Sequence, residues 1–244
     1  MIYIICMDPE KCVTLPFYRA LRQQNEIPIT IIKGTSPTPE QKNNLGELTS
    51  GEFGLRLSFM DLMEDALLNK FQTVMMFEED ALLHTDFWFK LNQVLSCKRC
   101  SCFLFPGSGC PPGVLYLGMT VWSQGIMAMY TSEYLSNNDN SPCVNILPNS
   151  FGNYAAIYNT DTFASINWWL LNQKLYPLDW MHVFLSREGY ITRGLYRPIA
   201  IANLSHASTV KKRPHEDIVD GAMKRYILHQ WNISEFSDTF DSQH

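Results

Sequence analysis

The sequence predicts one three-layer α/β domain with a mixed central sheet. Strand-like and helix-like segments alternate through the first half of the chain, the pattern that builds helices on both faces of a sheet. Ile2 to Cys6 is a continuous apolar run rich in β-branched residues, the signature of a strand buried on both faces. A second apolar run, Val74 to Phe77, passes directly into Glu78, Glu79 and Asp80. Carboxylates at the end of a buried strand are costly unless they are paired or hold a cation.

The elements follow in order. After the first strand, Met7, Asp8 and Pro9 break the chain, and Leu15 to Gln24 has a helical apolar face of Phe17, Ala20 and Leu21. Ile27 to Ile32 reads as the second strand. Thr35 to Leu48 is rich in Pro, Thr, Asn and Gln and reads as a loop with at most one helical turn. From Ser50 the apolar period becomes 3.6, with Leu55, Phe59, Leu62, Met63, Ala66 and Leu67 on one stripe. Phe71 to Phe77 is the strand that meets the acidic run. Asp86 to Ser96 is a helix capped by Thr85 or Asp86.

Cys102 to Phe105 is strand-like, and Pro106 to Gly113 is a loop. Ile126 to Tyr130 reads as a short strand and Thr131 to Leu135 as a brief helix. Tyr154 to Tyr158 is a strand, with Thr160 capping a helix from Asp161 to Gln173. Leu178 to Arg187 is helical and ends at Gly189. Tyr190 to Tyr196 and Ile199 to Ala202 are late strands, and Asp217 to Trp231 a terminal helix. The domain spans 1–233, and the polar 234–244 is a frayed tail.

The chain has 244 residues, 46% of them hydrophobic, and a formal net charge of -5. Its Lys and Arg residues form no stripe, which argues against a nucleic-acid partner. No apolar run approaches the roughly 20 residues that span a bilayer. Seven cysteines, an odd number, in a chain of this size fit reduced thiols and a cytoplasmic location. The sequons at Asn203 and Asn232 would then carry no modification. The spacing of Cys97, Cys100, Cys102 and Cys110 does not match a structural zinc site. Oligomeric state is not legible.

In an extended segment Glu78 and Asp80 point the same way and Glu79 the other, where it serves structure within the cofactor-binding run. Two like-facing carboxylates suit a hard divalent cation, Mn2+ or Mg2+, which takes oxygen ligands and substrate phosphates. Ligands of an open α/β sheet gather at the carboxyl ends of its strands, where this run lies.

Gly51 to Leu83, GEFGLRLSFMDLMEDALLNKFQTVMMFEEDALL, resembles the core signature of the family 25 type of glycosyltransferases. That family includes lipooligosaccharide and collagen galactosyltransferases. Gly51, Glu52, Gly54 and Ser58 match its helix start, and Phe77 to Asp80 its strand end in acids. The opening strand, the segment Gly152 to Ile166 and Pro177-Leu178-Asp179 also resemble the family. The chain departs from it at Phe59, where the family has His, and at Glu79, where it has Asp.

The resemblance implies a GT-A type, Rossmann-like fold that binds a nucleotide-sugar donor, a UDP-sugar favoured over a GDP-sugar. A DxD-like motif would hold the metal, with Asp80 a direct ligand and Glu78 direct or through water. His206 would be a further metal ligand. Lys211 and Lys212, with Arg213, would lie over the diphosphate. Asp179 would be the base of an inverting transfer to a glycan or other hydroxyl acceptor, with His182 a weaker candidate and Trp180 a surface for the sugar ring. Met7 and Asp8 would meet the nucleotide, Arg19 a phosphate or a carboxylate of the acidic run, and Arg56 a phosphate or Glu52. The alternative from another class is a noncatalytic GT-A-like domain that binds a glycan or a protein. A nucleotidyltransferase would need a Gly-rich loop that Met7 to Leu15 lacks.

Overall fold

A computed structural model describes residues 1–23, 26–43, 45, 48–121, 124–136, 141–146, 150–151, 154–172, 176–203 and 232–236. The first strand, β1 (Ile2–Cys6), is buried along its whole length. Asp8 then caps α1 (Pro9–Cys12) by accepting from the amides of Glu10 and Lys11. There follow α2 (Pro16–Arg22), β2 (Ile29–Lys33), the single turn α3 (Pro39–Lys42), α4 (Ser50–Leu68) and β3 (Thr73–Glu78). Next come β4 (Ala81–Leu83), α5 (Phe87–Ser96), α6 (Lys98–Ser101) and β5 (Gly113–Tyr116). The second half contains β6 (Thr120–Val121), α7 (Gln124–Ser136), β7 (Cys143–Asn145), β8 (Ser150–Phe151) and β9 (Ala155–Asn159). It ends with α8 (Phe163–Asn172), α9 (Met181–Arg187), β10 (Ile191–Leu195) and β11 (Ala200–Ala202).

The central sheet has seven strands in the order β2-β1-β3-β9-β5-β10-β7. β1 is parallel to both β2 and β3, while β9 runs antiparallel between β3 and β5. β10 is parallel to β5, and β7 closes the edge antiparallel. The expected α/β architecture with a mixed sheet is therefore observed, and it is compatible with a Rossmann-like fold. Parallel neighbours put the carboxyl ends of β2, β1 and β3 on one edge.

Strand alternation sorts the core into two layers. Ile2, Ile4, Phe77, Leu115 and Ile157 face a cluster that includes Phe17 and Leu21 of α2 and Phe87 and Leu91 of α5. Tyr3, Ile5, Val74, Met76 and Tyr158 face the opposite cluster, which includes Phe59 and Leu62 of α4, Phe163 of α8 and Leu185 of α9. Phe59 fills its place against Tyr158 at 5.3 Å between ring centroids. An apolar ring there contributes packing in a site the family resemblance gives to His, and burying it fully stabilises by about 1.5–3 kcal/mol.

Several elements differ from expectation. Residues 126–130 belong to α7, not to a strand. Short apolar runs carry no period, so helix and strand look alike. Cys102–Leu104 is a 3-10 turn. The central strand β5 follows directly on the Gly-Pro loop, too short to announce itself. Asn159, not Thr160, caps the turn that opens α8, accepting from the amide of Asp161. Gly189 ends α9 with φ +86°, a conformation natural only to glycine. The polar tail is docked where it is described: Phe236 is buried and bridges His84 of the β4 exit. The helix expected over 217–231 lies outside the described residues.

The reduced-cysteine expectation is corrected. Cys100 is bonded to Cys143, and Cys102 to Cys110, with Cα separations of 5.7 and 5.8 Å. Cys6, Cys12 and Cys97 are free. Pairing Cys100 with Cys143 ties α6 to the edge strand β7 across 43 residues of sequence. Such a partnership depends on tertiary structure and cannot be read from spacing.

Candidate functional site

The site is built where β1 and β3 end. Ile5 of β1 is in register with Glu78 of β3, and Cys6 with Lys33 of β2. The amide of Glu78 donates to the carbonyl of Tyr154 at 2.9 Å, so Glu78 is the last residue held in the sheet. Glu79 and Asp80 form a turn into β4. The alternation expected across Glu78, Glu79 and Asp80 therefore stops at Glu78, because a turn does not keep the two-residue period of a strand.

Glu79 folds back on the end of β1. Its Oε2 accepts from the thiol of Cys6 at 2.7 Å and from the amide of Met7 at 3.1 Å. The contact joins residues 73 positions apart, so nothing local encodes the pairing. Cys12, also buried, neighbours Cys6 from the end of α1. Burial first, and then the Glu79 carboxylate, push the Cys6 thiol far above the ordinary thiol range. Burial likewise raises Cys12, partly offset by its contact with Cys6. Both sulfurs are therefore neutral donors at physiological pH, not thiolates. Two closely spaced cysteines flanking the first strand's exit were the available sequence signal.

Met7 is half exposed and packs against Gly34, whose amide donates to the carbonyl of Cys6 at 2.8 Å. Asp8 is exposed, with one carboxylate oxygen turned to the α1 amides. Arg19 is exposed on α2. Asp8, Glu78, Glu79 and Asp80 thus belong to adjoining ends of β1 and β3. Hard oxygen donors of this kind, partly open to solvent, fit a divalent cation better than any soft metal. Among the described residues no group of three or more His, Cys, Asp or Glu side chains is placed to hold a metal ion.

The late strand returns to this point. β11 pairs antiparallel with β4, Ala202 opposite Ala81. The amide of Asn203 then donates to the carbonyl of Asp80 at 2.7 Å. The described chain stops there, three residues before His206. His206, Lys211, Lys212 and Arg213 lie outside the described residues. The chain is next described at Asn232, and it comes back to the other end of β4: Thr85 donates to the carbonyl of Glu235 at 2.7 Å.

The helix-start motif has a structural task at the same edge. Thr49 and Glu52 form a reciprocal capping box, with the Thr49 amide on Glu52 Oε2 at 2.8 Å. That satisfies two amides which a helix start leaves unpaired. Gly54 lies so close to the loop after β2 that a Cβ there would sit 2.2 Å from the carbonyl oxygen of Thr35. Ser58 accepts from the Thr35 amide at 2.8 Å and donates to the carbonyl of Gly54 at 2.9 Å. Gly54 and Ser58 therefore clamp α4 onto the exit of β2.

Arg56, expected to meet a phosphate or pair with Glu52, makes its described hydrogen bonds to the backbone of α8 and the residue before the Pro177 turn. It is buried, and its guanidinium donates to the carbonyls of Leu170 and Tyr176, the latter at 2.6 Å, and lies over the Trp169 ring. Burial lowers its pKa. The effect is to tie Leu170 of α8 and Tyr176 to α4. The 3-10 turn Leu178–Trp180 that follows packs on α4 and β8. Asp179 is in that turn, its side chain outside the described residues. Trp180 is exposed beside Tyr176, ring centroids 5.8 Å apart. His182 is buried against Tyr116 and does not open to solvent.

No protein-family model matches the chain, and no curated protein matches it. No helix among the described residues is long and apolar enough to cross a membrane.

Proposed function

We propose that this protein is a metal-dependent glycosyltransferase of GT-A type that moves a sugar from a nucleoside-diphosphate donor to a hydroxyl acceptor with inversion. The observation that carries the proposal is the position of Glu78, Glu79 and Asp80. They close β3 at the edge where parallel β1, β2 and β3 all end, the place ligands occupy in open α/β sheets.

Glu78 and Asp80 would hold Mn2+ or Mg2+, with His206 the added ligand. The tie of Asn203 to Asp80 favours His206, since only three residues separate it from the motif's own carbonyl. A divalent cation there supplies charge neutralisation for the departing diphosphate. Met7, Asp8 and Arg19 would line the nucleotide side, and Lys211 and Lys212 would screen the phosphates. Glu79 serves by fixing the end of β1 to the motif. In the transfer, the acceptor oxygen bonds to the anomeric carbon, the bond from that carbon to the diphosphate breaks, and Asp179 takes the acceptor's proton. Arg56 serves by holding the stretch that leads into Asp179.

The compartment follows the cysteines. Two disulfides favour an oxidising compartment over the cytoplasm.

Thermal unfolding with Mn2+ plus UDP, and with the other nucleoside diphosphates, tests the proposal. A ligand that binds only the native state raises the midpoint. The expected result is a rise with Mn2+ and UDP that Asp80→Ala abolishes. No rise with any nucleoside diphosphate would overturn it. Glycan binding without donor hydrolysis would instead favour the noncatalytic alternative.

A further inference from the structure

We infer that Asn232 is an N-glycosylation site and that the chain matures in an oxidising, glycosylating compartment. Three observations combine. The pairs Cys100–Cys143 and Cys102–Cys110 are formed, and persistent disulfides belong to oxidising compartments. Asn232-Ile233-Ser234 is an intact acceptor sequon with no proline at its centre. Asn232 and Ser234 are both exposed at the short 3-10 turn Ile233–Glu235.

The local geometry tolerates the modification. The Ser234 hydroxyl donates to Asn232 Oδ1 at 2.8 Å, and Asn232 Nδ2 donates to Glu235 Oε1 at 3.1 Å. A glycosylated carboxamide nitrogen keeps one hydrogen, enough for the Glu235 contact. The turn is held to the β4 exit by Glu235 and buried Phe236, while Asn232 and Ser234 themselves stay exposed. Asn203 differs. It is half-buried, and its amide is tied to Asp80 within the acidic site. A glycan there would crowd the motif, so the inference assigns Asn232 alone.

The donor is a polyprenyl-diphosphate-linked oligosaccharide, used by an oligosaccharyltransferase. The Asn232 nitrogen bonds to the anomeric carbon, and the bond from that carbon to the diphosphate breaks. The polyprenyl diphosphate leaves with the electron pair, and the amide proton passes to the transferase's base.

The full-length protein is isolated from the cells that make it, without reductant and with free thiols blocked. Treatment with a peptide:N-glycosidase should shift its mass by one glycan and convert Asn232 to Asp, read by peptide mass spectrometry. The shift should vanish in Asn232→Gln and Ser234→Ala and persist in Ser234→Thr and Asn203→Gln. A cross-linked peptide should join Cys100 to Cys143. An unshifted wild-type chain, a shift lost only in Asn203→Gln, or Cys100 and Cys143 recovered as blocked thiols would each overturn the inference.

Discussion

The thiol of Cys6 lies 2.7 Å from Oε2 of Glu79, joining the end of β1 to the turn after β3. The same oxygen accepts from the Met7 amide. One carboxylate thus sets the spacing between the two strand exits that form the candidate site. Glu79 is the middle acid of the run.

Glu79→Ala should therefore loosen the site before it unfolds the protein. It removes one acceptor from the Cys6 thiol, which keeps the Asp8 carbonyl at 3.2 Å, and the acceptor of the exposed Met7 amide, a cost of about 1 kcal/mol. Urea unfolding measures that loss. Thiol-blocking kinetics measure the local effect: Cys6 should react several-fold faster than in wild type, while Cys97 should be unchanged. Equal rates for Cys6 in both proteins would mean that Glu79 does not hold the β1 exit.

Gly54→Ala should be among the most damaging single-methyl additions in the chain. The new Cβ would meet the Thr35 carbonyl oxygen at 2.2 Å, so α4 must move off the loop after β2. Overpacking of this kind costs about 1–3 kcal/mol. Ser58→Ala removes the hydrogen bond to the Thr35 amide and should cost about 1 kcal/mol. Because both act on one contact, the double variant should lose less than the sum of the two. Denaturant midpoints of the three variants decide the matter, and full additivity would count against a shared clamp.

These contacts mark where the sequence was legible. The runs that became β1, β2 and β3 are long, β-branched and bounded by turn residues, so period and composition agree. The acidic run is visible because it interrupts such a strand. The Thr49–Glu52 capping box was partly visible through Glu52 in the motif. By contrast, β5 and β7 are four and three residues long, and α7 opens with an apolar run that has no period. The Cys6–Glu79 and Arg56–Tyr176 contacts join residues far apart in sequence, and nothing local encodes them. An arginine at a helix start reads as an anion ligand, and its burial is a tertiary property that the local sequence does not carry.

Arg56→Lys should not rescue Arg56→Met. The guanidinium reaches two carbonyls, on Leu170 and Tyr176, and its Cζ lies 5.6 Å from the Trp169 ring centroid. A lysine ammonium cannot reproduce that fork and plane. Losing the buried donors leaves carbonyls unsatisfied, about 2–4 kcal/mol in all. If the stretch leading to Asp179 depends on this tie, turnover should fall further than the fraction of unfolded protein explains. Circular dichroism and turnover measured together separate the two effects, and a fully active Arg56→Met would sever the link between Arg56 and Asp179.

The acid limb of stability should carry the signature of His84. The ring is buried, its Nδ1 accepts from the Asp86 amide at 2.9 Å, and Lys90 Nζ lies 2.6 Å from Nε2. Burial first, and then Lys90, lower its pKa, against a smaller opposing pull from Glu235 and Asp86. A histidine held neutral in the fold adds stability that is complete above its unfolded value of about 6.5. That stability is lost as pH falls through the folded value, because the unfolded chain binds the proton first. Unfolding midpoints should thus decline below about pH 6.5. Lys90→Met, which removes the adjacent positive charge, should raise the folded value and flatten the decline. Asn at position 84 keeps an acceptor for the Asp86 amide without titrating, so His84→Asn should flatten it as well. The segment 232–236 rests on this ring through Glu235 and Phe236. A decline unchanged in both variants would assign the acid limb to other groups.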